Sequence, residues 1–294
     1  MIRHLFILVC GVFFCSTAVI MIKECSVDPV LLAAFRLAVA VIVLSPFFLR
    51  DVARHRGAFG KRELRMSLLP GLLLAVHFIT WIIAARMTSA ANASLIVNLV
   101  PVVMPFLLVV LVGERITPGE LSGTALAMIG LLMLSLVDFH LNKTHFAGDM
   151  LCFFSMLFFA VYLALARKNR KHVPTVWLYL VPLYALAAVF CFIAALFRVN
   201  PIQVYSMKDV TMILGLGLLP TVIGHTTLNY SLKHVRGQVV SIVNMGQFVF
   251  AGIMAFLLLN ETPRLVFYPA SALLMAGAIL AVRAAPRKPL RQPA

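Results

Sequence analysis

Imidazole, indole and amide side chains recur at matching places in the two halves of this sequence. They form two triplets whose first two members stand four residues apart: His77, Trp81 and Asn98, then His225, Asn229 and Asn244. Residues four positions apart lie on one face of a helix. An imidazole titrates near neutral pH, and an amide offers both a donor and an acceptor. The doubled set therefore predicts a polar site that binds hydrogen-bonding groups or carries protons.

The elements that position these side chains are long and apolar. Hydrophobic residues make up 62% of the sequence and charged residues 12%, whereas a water-soluble domain carries about twice as much charge. The apolar runs do not alternate with polar residues, and they are long enough to cross a bilayer as helices. Lipid also requires that backbone groups be satisfied internally. We therefore predict an all-α membrane protein.

The apolar runs divide the chain into ten predicted transmembrane helices. Their predicted bounds are Leu5–Ile22, Pro29–Leu49, Met66–Arg86, Ser89–Val112, Gly119–Val137, Ala147–Ala166, Thr175–Phe197, Val210–Lys233, Gln238–Leu259 and Leu265–Val282. Glu114 and Gly130 recur as Glu261 and Gly277, an offset of 147 residues. We predict two five-helix repeats, at 1–140 and 146–284, which form one transport domain, and a cytoplasmic tail at 285–294. Duplicated spans with polar residues at matching depths are typical of a transporter.

The basic residues predict the orientation of these spans. Of the 25 Lys and Arg residues, Arg36 lies inside a span, and 18 fall on the side of the N-terminus. The other side holds six, namely Lys23, Arg86, Lys143, Arg198, Lys208 and Arg264. Cytoplasmic loops carry the excess of positive charge, which places both termini inside the cell. Because each repeat has an odd number of spans, the second repeat is inverted relative to the first.

Ionisable groups inside spans are the strongest candidates for the substrate pathway. For His77 and His225, the alternative is a neutral imidazole that bonds to a neighbouring helix as packing. For Arg36, pairing with a substrate carboxylate competes with capping of backbone carbonyls or snorkelling to the interface. The predicted pathway also contains Trp81, Asn98, Asn229, Asn244, Gln247, Ser16, Tyr162 and Tyr230. For the amide residues the alternative is packing against another helix, and for the aromatic residues it is packing or a position that faces lipid.

Prolines inside two spans predict places where the helix bends. Pro101 and Pro105 lie in the fourth span, and Pro220 lies five residues before His225. A proline removes a backbone donor and frees a carbonyl. We therefore predict that these three residues act as hinges of a gate.

The acidic residues narrow the chemistry further. All ten lie at or near span ends, so no carboxylate is predicted at mid-membrane. Glu114 and Glu261 are expected to be solvated or paired with Arg115 and Arg264. If transport is coupled to protons, histidine is the natural carrier. The five cysteines lack CxxC spacing, and we predict no metal and no cofactor. The charge of +15 is explained by the loops, so nucleic acid is not an expected partner.

Several segments together resemble the drug/metabolite transporter superfamily, in its ten-helix EamA-type branch. The likeness is carried by Pro29-Val-Leu-Leu-Ala-Ala-Phe-Arg36, Thr88-Ser-Ala-Ala-Asn-Ala-Ser-Leu, Pro101-x-x-x-Pro105, Gly113-Glu-Arg-Ile-Thr-Pro118, and Asn260-Glu-Thr-Pro263 with Gly277 in the second half. The chain departs from the family pattern at Phe14-Cys15, where the family usually has Trp-Gly, and at Gln247 and Ala251, which replace a proline pair. The resemblance implies export of small molecules across a bacterial inner membrane.

The leading hypothesis is a multi-pass exporter of amino acids or related neutral or zwitterionic metabolites that works by alternating access. Its expected partners are the small-molecule substrate and membrane lipid, and the sequence is compatible with a monomer. A lipid-linked-sugar or nucleotide-sugar carrier is the alternative within transport, but its phosphates would require more basic residues than Arg36. A membrane-embedded enzyme would require a nucleophile beside a base or a cluster of metal ligands, and the sequence offers neither.

Overall fold

The computed structural model describes residues 2–88, 90–138, 143–259 and 265–285. These residues form fourteen α-helices and one π-helical segment and contain no strand. In chain order the elements are α1 (Ile2–Ser16), α2 (Ala18–Glu24), α3 (Pro29–Arg54), α4 (Lys61–Met87), α5 (Ala90–Val97), α6 (Val100–Val112), α7 (Pro118–Asp138), α8 (Lys143–Asn169), α9 (Trp177–Leu196), α10 (Met207–Leu216), the π segment (Gly217–His225), α11 (Thr226–His234), α12 (Gly237–Asn244), α13 (Gln247–Leu259) and α14 (Phe267–Ala284). Glu261 and residues 286–294 of the predicted tail lie outside the described residues.

Many of these helices have the length and composition of membrane spans. Seven helical stretches of the described residues are long and apolar enough to cross a membrane, and two shorter apolar helices accompany them at Val100–Val112 and Gly237–Ala251. Large apolar side chains such as Phe6 and Phe106, each 70% exposed, cover the outside of the bundle. The prediction of an all-α, multi-pass membrane protein is therefore confirmed.

Local sequence explains where several helices begin and end. Asp28 caps α3, because its Oδ1 accepts hydrogen bonds from the backbone N–H groups of Val30 at 2.8 Å and Leu31 at 3.3 Å, and Pro29 suits the first helical position. Gly113 ends α6 in the left-handed conformation, with φ of 71°, which glycine adopts without steric cost.

Two spans are broken at corresponding places. α5 passes into α6 at Asn98-Leu99, where Leu99 N–H bonds to Ile96 O. α12 passes into α13 at Met245-Gly246, where Met245 N–H bonds to Ile242 O. Both breaks use bonds to the third preceding residue instead of the fourth, which tightens the turn. The break in the ninth predicted span has no proline, so the proline pattern alone did not predict it.

Helix packing pairs the two halves of the chain. α3 packs on α9, α7 on α14, and α6 on α12. α4 packs on α8 and on α9, while the π segment packs on α1 and on α3. These seven pairs of elements are unchanged when α1, α3, α4, α6 and α7 are exchanged, in that order, with α8, α9, the π segment, α12 and α14. The packing of α3 on α4 has no counterpart of similar extent between α9 and the π segment. The seven pairs therefore relate the two halves as counterparts.

The N-terminal face, on which α1 begins and α3 and α8 end, is closed by buried ion pairs. Glu114 was expected to be solvated or paired with Arg115, but its side chain pairs with Arg167 at 2.9 Å and lies 3.7 Å from Arg236. Arg236 Nε also lies 2.5 Å from a carboxylate oxygen of Glu120, which is fully buried. The partners are distant in sequence because α8 and the turn between α11 and α12 bring Arg167 and Arg236 next to Glu114. The network links the two halves across this face.

The opposite face is held by polar contacts, of which those between Ser26 and Asp209 join the two halves. The Asp209 carboxylate accepts hydrogen bonds from the backbone N–H of Ser26 at 2.7 Å and from its hydroxyl at 2.8 Å. Arg86 donates to the carbonyls of Cys25 at 2.6 Å and Val27 at 2.8 Å. These bonds hold the α2–α3 connection against both α4 and the start of α10.

Candidate functional site

A small buried cavity lies where α1, α3, α4 and α8 meet the π segment. Its volume is about 30 Å³. The predicted hinge residue Pro220 lines it, as do six of the eleven predicted pathway residues: Arg36, His77, Trp81, Asn98, His225 and Gln247. An adjoining cavity of about 10 Å³ adds Ser16. A cavity needs a volume of roughly 10–15 Å³ to hold one water molecule. The cavity therefore has room for about two or three water molecules, and it must expand to admit any amino acid.

Among the described residues, Arg36 is the only charged side chain that lines this cavity. Arg36 is fully buried, and its guanidinium carbon lies 4.0 Å from the centre of the Phe78 ring. Its Nε and Nη2 donate hydrogen bonds to Thr221 Oγ1 at 3.0 and 2.9 Å. Nη1 has no hydrogen-bond partner among the described residues. A buried cation without a counter-ion is costly, so this arrangement favours an anion at Nη1.

The π segment explains how Thr221 comes to hold Arg36. Pro220 cannot donate to the carbonyl of Leu216, four residues earlier, and the Thr221 hydroxyl donates to that oxygen at 2.7 Å. The hydroxyl proton is thereby used, so the lone pairs of Thr221 Oγ1 face Arg36. Pro220 was predicted as a hinge, and here its backbone effect also sets the acceptor that positions Arg36.

Two further nitrogen atoms of the cavity lining are unpaired. Trp81 Nε1 and His225 Nδ1 are buried and have no partner among the described residues. Indole Nε1 is a donor only, whereas an imidazole nitrogen is a donor or an acceptor according to its tautomer. Arg36 Nη1 and Trp81 Nε1 are thus donors without acceptors in the described part of the chain, and His225 Nδ1 is a third when it carries the imidazole proton. This shortage favours a ligand that brings its own oxygen atoms.

His77 differs from His225 because α8 binds it. Ser155 Oγ donates to the carbonyl of His77 at 2.9 Å, while His77 Nδ1 lies 2.9 Å from Ser155 Oγ and 3.1 Å from Ser155 O. Because the single hydroxyl proton is already used, this geometry assigns the proton to Nδ1 and leaves Nε2 as an acceptor. The Phe159 ring stacks on His77 at 4.5 Å and meets His225 edge-on at 5.7 Å. Phe159 therefore separates the two histidines.

The amides meet where the two broken spans cross. Asn244 Nδ2 donates to Asn98 Oδ1 at 3.4 Å, and Gln247 Nε2 donates to Asn244 Oδ1 at 2.8 Å. Asn98 Nδ2 bonds to Ser94 O at 2.7 Å. Asn98 and Gln247 line the cavity, whereas Asn244 supports them from behind. The two breaks thus bring polar side chains from both halves to one point.

The prolines of the fourth span free a carbonyl that the second half uses. Because Pro105 has no N–H, it cannot bond to Pro101 O. Gln238 Nε2 donates to that oxygen instead, at 3.1 Å, and also to Thr124 Oγ1 at 2.7 Å. Neither proline lines the central cavity. The freed carbonyl of Pro101 links α6 to α12 through Gln238. A hinge at these prolines would therefore act on the contact between α6 and α12.

The other predicted pathway residues lie behind the cavity or away from it. Asn229 Nδ2 donates to Tyr162 Oη at 2.5 Å and to His225 O at 2.8 Å, and Tyr162 stacks on Phe159 at 5.9 Å. Tyr230 lies at the N-terminal face, beside the rings of two other residues, His4 and His234. Asn229 and Tyr162 therefore support the lining, and Tyr230 belongs to a different place.

Sequence reasoning did not identify three residues that shape the site: Thr221, Ser155 and Phe78. Phe78 contacts both Arg36 and His225, and Thr221 contacts Arg36 across 185 residues of chain. The position of Thr221 beside an intrahelical proline was the only usable signal. Ser155 and Phe78 looked like ordinary residues of an apolar run.

Known proteins share both the sequence pattern and the fold of this chain. It is 26% identical over 274 residues to an uncharacterized transporter of Archaeoglobus fulgidus, covering 91% of this chain and 92% of that protein. A crystal structure of another protein matches 97% of this chain and 99% of its own at 19% identity, with a TM-score of 0.79, which shows the likeness of fold alone. The model of the EamA-like transporter family matches residues 2–136 and 146–283. The predicted resemblance is confirmed, and this protein belongs to the EamA-like transporter family.

Proposed function

We propose that this transporter exports amino acids or related zwitterionic metabolites, whose carboxylate binds Arg36. The observation that carries this proposal is the buried guanidinium, which faces the cavity with Nη1 unpaired and makes no ion pair among the described residues. A substrate carboxylate would accept bonds from Arg36 Nη1 and Trp81 Nε1. The amide oxygens of Asn98 and Gln247 would then face the ammonium end. With a single guanidinium, the cavity suits a carboxylate better than the diphosphate of a sugar carrier.

The proposed membrane arrangement is ten crossings in two inverted repeats, 1–140 and 146–284. Both termini would lie in the cytoplasm of a bacterial cell, with the inner membrane as the location. The two family matches, the exchange of packing partners between the halves and the charge count of the loops support this arrangement. Inverted repeats of this kind alternate between two mirror-related states.

Alternating access would open one face of the bundle at a time. At the N-terminal face, separation of Arg236 from Glu114 and Glu120 would be required. At the opposite face, Asp209 would have to leave Ser26. Both sets of bonds are present in the structure, which is consistent with the small volume of the central cavity, about 30 Å³. The inner opening would admit substrate, and the outer opening would release it.

Efflux from liposomes tests the proposed substrate class. Liposomes that contain the pure protein would be loaded with radiolabelled amino acids, and the corresponding decarboxylated amines would serve as matched controls. We expect at least one amino acid to leave about 10-fold faster than from protein-free liposomes, because a carboxylate that neutralises a buried cation is strongly favoured. The amines should show no acceleration. Equal efflux of amino acids and amines would contradict the role of the carboxylate.

Proton coupling, if present, is proposed to run through the histidines that flank Phe159. We expect His77→Gln and His225→Gln to retain amino-acid exchange at equal pH within about threefold, since glutamine keeps hydrogen-bonding capacity. They should lose accumulation driven by a pH gradient, because glutamine does not titrate. His172, which is exposed and outside the cavity, provides the control variant His172→Gln. Full gradient-driven accumulation by both cavity variants would place the coupling elsewhere.

A further inference from the structure

A second and larger cavity opens at the N-terminal face, separate from the central site. Its volume is about 440 Å³, and it lies between the end of α3, the α8–α9 connection and the end of α11. Six of its lining residues are basic or imidazole side chains: Arg50, Arg54, His55, Arg170, Lys233 and His234. Asp51 is the one carboxylate of this lining, and Arg50 pairs with it at 3.0 Å. Three cationic residues are thus left without a carboxylate in the wall.

Arg170 is the buried centre of this wall. The residue is 1% exposed, and its Nε has no hydrogen-bond partner in the described part of the chain. Nη1 donates to the carbonyl of Thr175 at 2.6 Å, which fixes the side chain against the cavity wall. Burial lowers the pKa of Arg170 from its ordinary value to about 10, so the group stays charged at neutral pH. An unpaired buried donor on a fixed cation requires an anion or water.

The neighbouring contacts place the cavity at the depth of lipid headgroups. Trp177 lines the cavity and stacks on Phe47 at 5.0 Å, and aromatic rings of this kind concentrate at membrane interfaces. Lys233 Nζ holds the α8–α9 connection through the carbonyls of Val173 at 3.0 Å and Pro174 at 3.1 Å. A rigid basic pocket between helix ends at an interface is a suitable site for a phosphate group.

We infer that this cavity binds a phosphate ester, whose oxygens contact Arg170 and Arg54. Three surplus positive charges match a multiply charged phosphate better than a single carboxylate, and Arg binds phosphate oxygens through its planar fork of donors. The volume also accommodates the alcohol part of the ester. Either a free phosphorylated metabolite or an anionic phospholipid headgroup supplies this chemistry. The site is independent of the carboxylate site proposed at Arg36.

Two binding measurements on the purified full-length protein distinguish the sources. In the first, thermal unfolding is followed during titration with sn-glycerol 3-phosphate, with chloride at equal ionic strength as the control. In the second, native mass spectrometry counts phosphatidylglycerol adducts against phosphatidylcholine adducts. We expect a rise of about 3 °C or more in Tm if the ligand is free, since a ligand stabilises the state that it binds. We expect selective retention of phosphatidylglycerol if the ligand is a lipid.

Variants of the wall decide whether this cavity is responsible. Arg170→Gln removes the buried donor, and Arg54→Gln removes an exposed charge with little risk to folding. Both should abolish the Tm shift or the selective adduct. Arg198→Gln, an exposed arginine of the opposite face, should leave them unchanged. Absence of both signals in the wild type, or equal signals in Arg54→Gln and the wild type, would overturn the proposal.

Discussion

Replacement of Arg36 by methionine is expected to abolish carboxylate transport while the protein remains folded. Methionine fills a similar space but removes the charge, so the substrate carboxylate loses its buried partner. Loss of a buried charge-pair partner costs about 2–5 kcal/mol, and each 1.4 kcal/mol is tenfold in affinity, so we expect transport to fall by about 100-fold. Efflux from liposomes at fixed substrate concentration measures this loss.

The thermal stability of the same variant should move in the opposite direction. Arg36 is fully buried and makes no ion pair among the described residues, so its charge lowers the stability of the substrate-free protein. We expect Arg36→Met to leave Tm unchanged or to raise it by about 2 °C. A large fall in Tm would show that Arg36 is a packing residue, and normal transport would show that the carboxylate binds elsewhere.

Two further variants separate the charge from its placement. Thr221→Val removes the acceptor of Arg36 Nε and Nη2 but keeps the charge, and we expect an intermediate loss of about 10-fold, the cost of roughly one hydrogen bond to a charged group. Arg36→Lys keeps the charge but lacks the planar fork of donors, so it should recover only part of the transport. We expect the transport rate to decrease in the order wild type, Thr221→Val and Arg36→Met.

Six of the eleven predicted pathway residues line the central cavity, because the residues that predicted the pathway repeat with helical spacing. His77 and Trp81 share one helix face, and the duplication places His225 at the corresponding point of the second half. Both histidines line one cavity, together with Asn98 and Gln247. Polar residues at mid-membrane are so costly that they seldom point to lipid. Helical spacing and the free-energy cost of a polar side chain in lipid are both properties of a single helix. Both can therefore be assessed from the sequence.

Contacts between the halves could not be predicted in the same way. Tyr230 was assigned to the pathway by its residue type, but the end of α11 places it at the N-terminal face beside His234. Ser155 reaches His77 across 78 residues, and Gln238 reaches the carbonyl freed by Pro105 across 137 residues. Such partners depend on how helices are arranged in three dimensions. No local pattern in a single sequence carries that information.

The two halves share a scaffold but provide different walls. Trp81 Nε1 has no partner among the described residues, whereas its counterpart Asn229 is bonded to Tyr162 behind the wall. His77 is held by Ser155, whereas His225 Nδ1 has no partner in the described part of the chain. An inverted repeat with identical walls would bind the two ends of a substrate equally. Divergence at these pairs therefore leaves one nitrogen without a described partner in each half, Trp81 Nε1 and His225 Nδ1, so the two ends of the proposed substrate would meet different side chains.

Replacement of Gly277 by alanine is expected to destabilise the whole bundle through the contact between α7 and α14. A Cβ atom at Gly277 would lie 2.5 Å from the carbonyl oxygen of Gly123 and 2.6 Å from the backbone nitrogen of Ala127. Both obstacles are backbone atoms of a helix, so relief requires the two helices to separate. Small residues permit such close approach between membrane helices. We expect an overpacking cost of about 1–3 kcal/mol or more.

Thermal unfolding of the detergent-purified variant measures this effect. At about 2–4 °C per kcal/mol, Tm should fall by roughly 5–10 °C. Gly123→Ala should do the same, because its Cβ would lie 2.6 Å from Gly277 O, and the double variant should lose less than the sum, since separation of the helices relieves both clashes. Gly215→Ala is the matched control within a helix, because its Cβ meets only the flexible end of Met21. An unchanged Tm for Gly277→Ala would contradict the close contact of α7 and α14, which joins the two halves of the chain.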